Sequence, residues 1–343
     1  MSHSNAQRTF YQFIFLEEKN MKKVLAVLLA LVMVLSFAAC GGKGGDTTTA
    51  AGDTTAADTT AEGATTAEDT TAAEGASEAD TTAAEAKEGA VKVIDIDLTK
   101  EEYAFGVDKD QPELLEKVNA FVDKIMKDGT FDKICNNYFG DGKPVLVESA
   151  EEDSSKDQLV VATNAAFEPF EYKVGNKYAG IDMEIAALLA KELGKELVIK
   201  HMEFDSVCLS VGQHKCDIAM AGLTVKPDRK EHVNFSKSYY QASHRIIVKS
   251  DDKTFDDCKD AQAVIAKITR FDSSVKIGFQ NGTTGAMFVK NEKDYAANGF
   301  SVEGVGYKNG SLAVQDLING NINYVVIDSA PASCIVDTIN EVA

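Results

Sequence analysis

The 343-residue sequence has no tryptophan and only five prolines, and its 35 Lys and Arg fall well short of its 54 Asp and Glu. A formal charge of −19 excludes nucleic acid as a partner and argues against anionic lipid headgroups, because each phosphate would be approached against the protein's own field. The six cysteines form no CxxC pair and no Cys/His zinc spacing. Setting Cys40 apart leaves Cys135, Cys208, Cys216, Cys258 and Cys334, an odd set expected to be free thiols. The histidines (His3, His201, His214, His232, His244) are scattered without a metal-binding pattern, so neither chemistry nor metal is assigned to them.

A local absence divides the chain. Residues 41–90 contain no Phe, Tyr, Leu, Ile or Met, consist almost wholly of Ala, Thr, Gly, Asp and Glu, and carry a net charge of −9. Such a stretch buries too little apolar surface to offset its ordering entropy, and it reads as a disordered, self-repelling tether. Before it, from Met21, two lysines precede an apolar stretch from Val24 to Ala39 broken only by Ser36. That pattern is a secretory signal over 21–39, short for a membrane span of ~20 residues. Residues 1–20 match no targeting pattern, and translation is expected to start at Met21. Folding is left to residues 91–343, enough for two lobes with separate cores.

Within that part, apolar runs and amphipathic stretches alternate. Leu159–Thr163, Leu197–Ile199 and Asp217–Ala221 read as strands, separated by helices over Ile181–Leu193 and Asp205–Val211. Arg245–Val248, Val275–Phe279 and Tyr324–Ile327 read as strands of a second region, with a helix over Leu312–Ile318. Strand–helix–strand order predicts an α/β fold with mostly parallel sheets, whose ligand loops follow the carboxyl ends of the strands. These are Asn164–Phe170, Gly222–Arg229 and the Gly-Thr-rich turn Gln280–Gly285.

Six stretches then converge: VVATNAAFEPFEY (160–172), YAGIDMEIAALLAKELGKEL (178–197), EFDSV (203–207), CDIAMAGLTVKPDRKEHVNFSKSYY (216–240), GFQNGTTGA (278–286) and VVIDSAPA (325–332). In order and spacing they resemble the polar amino-acid-binding proteins of ABC importers, the family 3 solute-binding proteins. Ser36-Phe37-Ala38-Ala39-Cys40 likewise resembles a bacterial lipobox, which implies a diacylglycerol on Cys40 and a cell-membrane location on the extracytoplasmic face. The resemblance implies a two-lobed, type II periplasmic-binding-protein fold with a two-strand hinge. It also implies a monomer that takes a free amino acid to an ABC permease, with no cofactor.

The chemistry can be argued from the residues. An amino acid needs a cation for its carboxylate, an acid for its ammonium, and walls for its side chain. Arg229 offers a guanidinium fork suited to a carboxylate, and the resemblance places the family's carboxylate-binding arginine there. By the same resemblance Thr224 adds its hydroxyl and N–H, Thr284 donates to the carboxylate, and Asp328 and the Gly222 carbonyl receive the ammonium. Phe167 and Phe204 align with the sandwiching aromatics, while Asn164 and Gln280 lie where side-chain polarity is sensed. Asp328 also suits a helix N-cap, and Glu168 and Glu203 read as solvated loop acids.

Residues 91–140 resemble the family's end rather than its beginning. Val91–Leu98 alternates like a strand, Glu102–Val107 resembles the return crossover, and Pro112–Lys127 is an amphipathic helix with Pro at its start and Gly129 just past its end. Asp128–Gly140 resembles the DGTYDKIYNKWFG-like family terminus. A circular permutation is the expectation, with lobe one over 104–240, a linker over 141–157, and lobe two over 91–100 and 244–343. The first strand is then expected to pair near the C-terminus; a truncated gene whose 91–140 segment packs on a neighbouring molecule is the alternative. Rival functions on this fold are a cyclic-acid dehydratase and a ligand-sensing receptor subunit. The enzyme reading is set aside because no His or Glu falls at a pocket-aligned position.

Overall fold

A computed structural model describes residues 89–342. The upstream segment 1–20, the stretch 21–39 expected to be a signal peptide, Cys40, expected to carry the lipid, and the expected tether up to residue 88 lie outside the described residues. In chain order the elements begin with β1 (Val91–Ile94), β2 (Glu101–Tyr103), β3 (Gly106–Asp108), α1 (Pro112–Lys127) and α2 (Thr130–Phe139). There follow β4 (Gln158–Thr163), β5 (Ala166–Phe167), β6 (Glu171–Val174), β7 (Lys177–Ala179), α3 (Ile181–Leu193), β8 (Glu196–His201), α4 (Val207–Gly212), β9 (Ile218–Ala219) and β10 (Val233–Phe235). The chain then runs through β11 (Tyr240–Ala242), β12 (His244–Lys249), α5 (Ala261–Ile268), β13 (Lys276–Gln280), α6 (Thr284–Val289), β14 (Glu303–Tyr307), α7 (Gly310–Ile318), β15 (Tyr324–Asp328) and α8 (Ser329–Val342).

Two five-stranded sheets result, ordered β10-β3-β9-β4-β8 in lobe one and β1-β12-β15-β13-β14 in lobe two. Both are mixed, but parallel pairing joins only β9-β4-β8 in one and β15-β13-β14 in the other, half of each sheet rather than most of it. The antiparallel halves come from β3 and β12, each entered directly from a crossover strand rather than through a helix. Those crossovers, β2 and β11, pair antiparallel, with Glu101 opposite Ala242 and Tyr103 opposite Tyr240, and form the two-strand hinge.

Helix α1 has its Pro at the first turn and Lys124 and Lys127 in the last, where they complement the helix dipole. It buries Leu114, Val118, Phe121, Val122 and Ile125. Helix α3 departs from the one-faced pattern: Leu188 is exposed, whereas Asp182 and Glu184 are buried with Ile181, Ile185 and Leu189. The cause is a second cover. Glu184 Oε1 accepts hydrogen bonds from Tyr138 Oη (2.6 Å) and the Val145 N–H (3.1 Å), pinning the end of α2 over the start of α3.

Residues 141–157 run along lobe one. Val147 exchanges backbone hydrogen bonds with Tyr178 (2.7 and 2.9 Å), and the Ala150 N–H donates to Leu197 O at 2.8 Å. Strand β1 is shorter than the alternation suggests, because the Ile96 N–H turns back to Ile94 O and Leu98 is tied to His244 O. It pairs with β12, Val91 opposite Lys249, and not with a strand near the C-terminus. The C-terminal region meets it instead through Asn340 of α8, whose amide donates to Val91 O at 2.8 Å and accepts from the Val91 N–H at 3.3 Å. All five described cysteines are free, and no helix among the described residues is long and apolar enough to cross a membrane.

Candidate functional site

Strand ends and loops from the two lobes converge on one small cavity. Phe167, Phe204, Gly222, Thr224 and Arg229 from lobe one face Gln280, Thr283, Thr284 and Asp328 from lobe two, around a space of about 10 Å³. That is room for about one water molecule. Strand polarity explains the convergence on the lobe-two side: β13 and β15 pair parallel, Gln280 and Asp328 are their last residues, and Thr284 opens α6.

Arg229 begins a 3₁₀ turn and is buried. Its Nη1 donates to Thr224 O (2.8 Å) and its Nη2 crosses to lobe two, donating to Gly282 O (3.2 Å). The guanidinium carbon sits 5.2 Å from the centre of the Phe204 ring, a cation–π distance. Gly222 has φ +54°, and a Cβ there would meet the Phe167 ring at 3.1 Å, so the wall needs glycine. Its N–H donates to Asp182 Oδ2 at 2.9 Å, and Tyr239 Oη donates to the other oxygen at 2.6 Å. Burial pushes the Asp182 carboxyl up to about 7, against these two bonds.

Behind the cavity lies an acidic cluster with one histidine. Glu101, on the hinge strand β2, accepts from Thr224 Oγ1 (2.6 Å) and Thr284 Oγ1 (2.7 Å) at Oε2 and from Tyr295 Oη (2.7 Å) at Oε1. One carboxylate thus gathers hydroxyls from both lobes. Burial opposes its ionisation, but His244 beside it and the three hydroxyls more than offset this and hold it below the usual carboxylate range. His244 Nε2 lies 3.0 Å from Thr284 Oγ1 and 3.6 Å from both Glu101 Oε1 and Asp328 Oδ1. Burial raises the Asp328 carboxyl to about 6, with His244 pulling the other way and Glu101 adding to the rise. Asp328 Oδ1 has no hydrogen-bond partner.

Eight of the nine residues singled out from the sequence line this cavity. Asn164 does not. It stands one layer behind, its Nδ2 donating to Met202 O (2.6 Å) and its Oδ1 accepting from Gln280 Nε2 (2.9 Å), a bridge between the lobes. The threonine expectation also changes. With both hydroxyl protons directed at Glu101, only the backbone N–H groups of Thr224 and Thr284 are left as donors to a ligand.

Against this geometry, the description of bacterial extracellular solute-binding proteins, family 3, matches residues 9–141 and 159–326. The chain belongs to that family. It is similar to the arginine-binding extracellular protein ArtP of Bacillus subtilis (strain 168), 39% identical over 99 residues, covering 29% of this chain and 39% of that one. It is also similar to ABC transporter arginine-binding protein 1 of Escherichia coli (strain K12), 29% identical over 179 residues, covering 52% of this chain and 65% of the relative. The match thus spans less than two thirds of either relative's length. A crystal structure of the amino acid ABC transporter substrate-binding protein AbpA from Streptococcus pneumoniae, bound to L-arginine, is 31% identical. It covers 53% of this chain and 72% of that one, with a TM-score of 0.46.

Several residues of this family 3 chain escaped the sequence reading. Thr283 lines the cavity and caps α6 through the Ala286 N–H. Glu101 and His244 stand directly behind the cavity without lining it, so no His or Glu occupies a lining position, but nothing in the sequence signalled this acidic cluster behind the wall. Glu171 is fully buried with both carboxylate oxygens unpartnered, and burial together with Asp182 and Asp328 raises its carboxyl far above the ordinary value. His214 contacts Asp108 at 2.8 Å on the surface of lobe one. An inward-facing position at the start of a hinge-fed strand is the signal that marks His244. A scattered histidine carries no such mark in the sequence.

Proposed function

We propose that this chain is the extracytoplasmic binding component of an amino-acid ABC importer, capturing a free polar amino acid between its lobes and passing it to the membrane permease. One observation carries the reading. Arg229 of lobe one and Asp328 of lobe two, opposite in charge and both buried, face the same cavity. A zwitterion placed there gives its carboxylate to the guanidinium and its ammonium to the Asp328 carboxylate, whose Oδ1 accepts no hydrogen bond, with Gly222, Phe167 and Phe204 as walls. A space of about 10 Å³ admits no amino acid until the lobes part, so capture and release proceed by rotation about β2 and β11. Binding without catalysis is favoured because Glu101 is occupied by three hydroxyls and neither Glu101 nor His244 reaches the cavity wall. The mature protein acts as a monomer held at the membrane by a lipid on Cys40. A thermal-shift screen of the twenty amino acids and cystine tests the reading; stabilisation by at least one is expected, and none by any would overturn it.

The proposal extends to the order of the chain. Residues 91–140 form the family's C-terminal part moved to the front by circular permutation, with 141–157 as the joining linker. Support comes from the family match in two stretches on either side of residues 142–158, from β1 lying in the lobe-two sheet, and from Asn340 bonded to Val91.

A further inference from the structure

The orientation of two buried amides in the cleft specifies what the ligand's side chain must bring, given the amino-acid-binding reading above. Met202 O is a backbone carbonyl and only accepts, so the Asn164 group 2.6 Å from it is the NH₂. Asn164 therefore turns its Oδ1 towards Gln280, and the Gln280 group 2.9 Å away is in turn the NH₂. By this chain of necessity Gln280 Oε1 is left over. It is buried without any hydrogen-bond partner, on a side chain 2% exposed that lines the cavity. A buried acceptor with nothing to accept calls for a donor on whatever fills the site.

Charge narrows the donor. Among the described residues, the only ionic groups in the cavity wall are Arg229 and Asp328, and the zwitterion's carboxylate and ammonium use both. A third charge on the ligand would enter a desolvated space with no counter-ion. Glu101 is screened behind Thr224 and Thr284, with its oxygens taken by three hydroxyls. Glu203 is exposed and paired with Lys308 at 3.2 Å across the lobes, and neither Glu168 nor Asp205 lines the cavity. We infer that the ligand is an amino acid with an uncharged side chain ending in an N–H donor, a carboxamide as in glutamine or asparagine, held by Gln280 Oε1, and not a cationic amino acid such as arginine.

Calorimetric titration of the full chain with L-glutamine, L-asparagine, L-arginine, L-lysine, L-glutamate and L-leucine tests this. One of the two amides is expected to bind at least tenfold more tightly than arginine, lysine, glutamate and leucine. Asn164→Asp, which sets a carboxylate beside Gln280, should raise the affinity for arginine relative to the amide by at least tenfold. Gln280→Met should weaken the amide at least tenfold while changing leucine less than threefold. Arginine, lysine, glutamate or leucine binding as tightly as the amides overturns the inference and leaves the amino-acid-binding reading standing. Absence of binding by all six overturns the inference, and the amino-acid-binding reading falls with it only if the screen of twenty amino acids and cystine is also negative. Should Gln280→Met fail to fold, the wild-type ranking and Asn164→Asp decide.

Discussion

At the scale of single residues, two of the buried acids near the cleft make opposite predictions for pH. Asp328 titrates near 6 and must be ionised to hold an ammonium, so affinity should fall about tenfold between pH 7 and pH 5. Calorimetry across that range checks it; a flat profile would mean that another acceptor holds the ligand's ammonium. Asp182, raised to about 7 by burial, contributes stability that is present below the unfolded value near 4 and lost as pH rises through 7. Asp182→Asn, neutral at every pH, should therefore gain in melting temperature relative to wild type between pH 5 and pH 8. A constant gap in melting temperature across that range would contradict the buried, raised carboxyl. These residues differ in how far the sequence exposed them. Arg229 and Asp328 sit in recognisable motifs at strand and turn ends. Glu101 and His244 do not, and Glu171, although inside the 160–172 stretch, carries no sign of its role there, because what distinguishes all three is burial and company, set by strands far apart in the chain.

Among elements, the hinge holds the most information. Strand β2 has loop 222–225 laid along it, the Ala104 N–H donating to Leu223 O and the Val225 N–H to Glu102 O, and this registers Thr224 against Glu101. Thr284 reaches the same carboxylate from α6, so Glu101 joins hydroxyls of both lobes in this closed arrangement. Hydrogen bonds to a charged group contribute about 1.5–3 kcal/mol each. Glu101→Gln should accordingly speed ligand dissociation at least tenfold while leaving association within about threefold, measured by stopped flow. Unchanged dissociation would remove Glu101 from closure. Helix α1 was readable with its ends, because Pro112 and Gly129 punctuate it, and the extent of α3 was readable from its apolar periodicity although not which residues it buries. The hairpin β5–β7 and the edge strands β10 and β14 were not, since stretches such as Glu303–Tyr307, with two glycines in five residues, owe their form to neighbours. The parallel bias was overread for a similar reason: strand–helix alternation is blind to β3 and β12, which enter their sheets from crossovers.

Taken as a whole molecule, the fold brings together segments that are remote in sequence: β1 lies between β12 and the end of α8. If the chain is permuted, a version starting at Gln158 and carrying residues 90–140 after residue 342, joined through about four Gly/Ser residues, should fold and bind as the natural order does. Matching circular dichroism, melting temperature within a few degrees and unchanged affinity are expected; an unfolded product would argue that segment 91–140 does not follow α8 in the parent order. Reciprocal ion pairs join the lobes, Lys226 with Asp294 (3.0 Å) and Lys293 with Asp228 (2.7 Å), but each has at least one solvent-exposed partner, and such pairs contribute little. The closed form is therefore expected to depend on the buried cluster and on the ligand itself. The most direct test is calorimetry with the amino acid that the screen identifies, on wild type, Arg229→Ala and Asp328→Ala. Removing one partner of a desolvated ligand charge costs ~2–5 kcal/mol, or about 30-fold to several thousand-fold in affinity. Each variant should lose binding on that scale with its fold intact by circular dichroism. Binding by folded Arg229→Ala within about threefold of wild type would show that the ligand's carboxylate is held elsewhere, and would contradict the account.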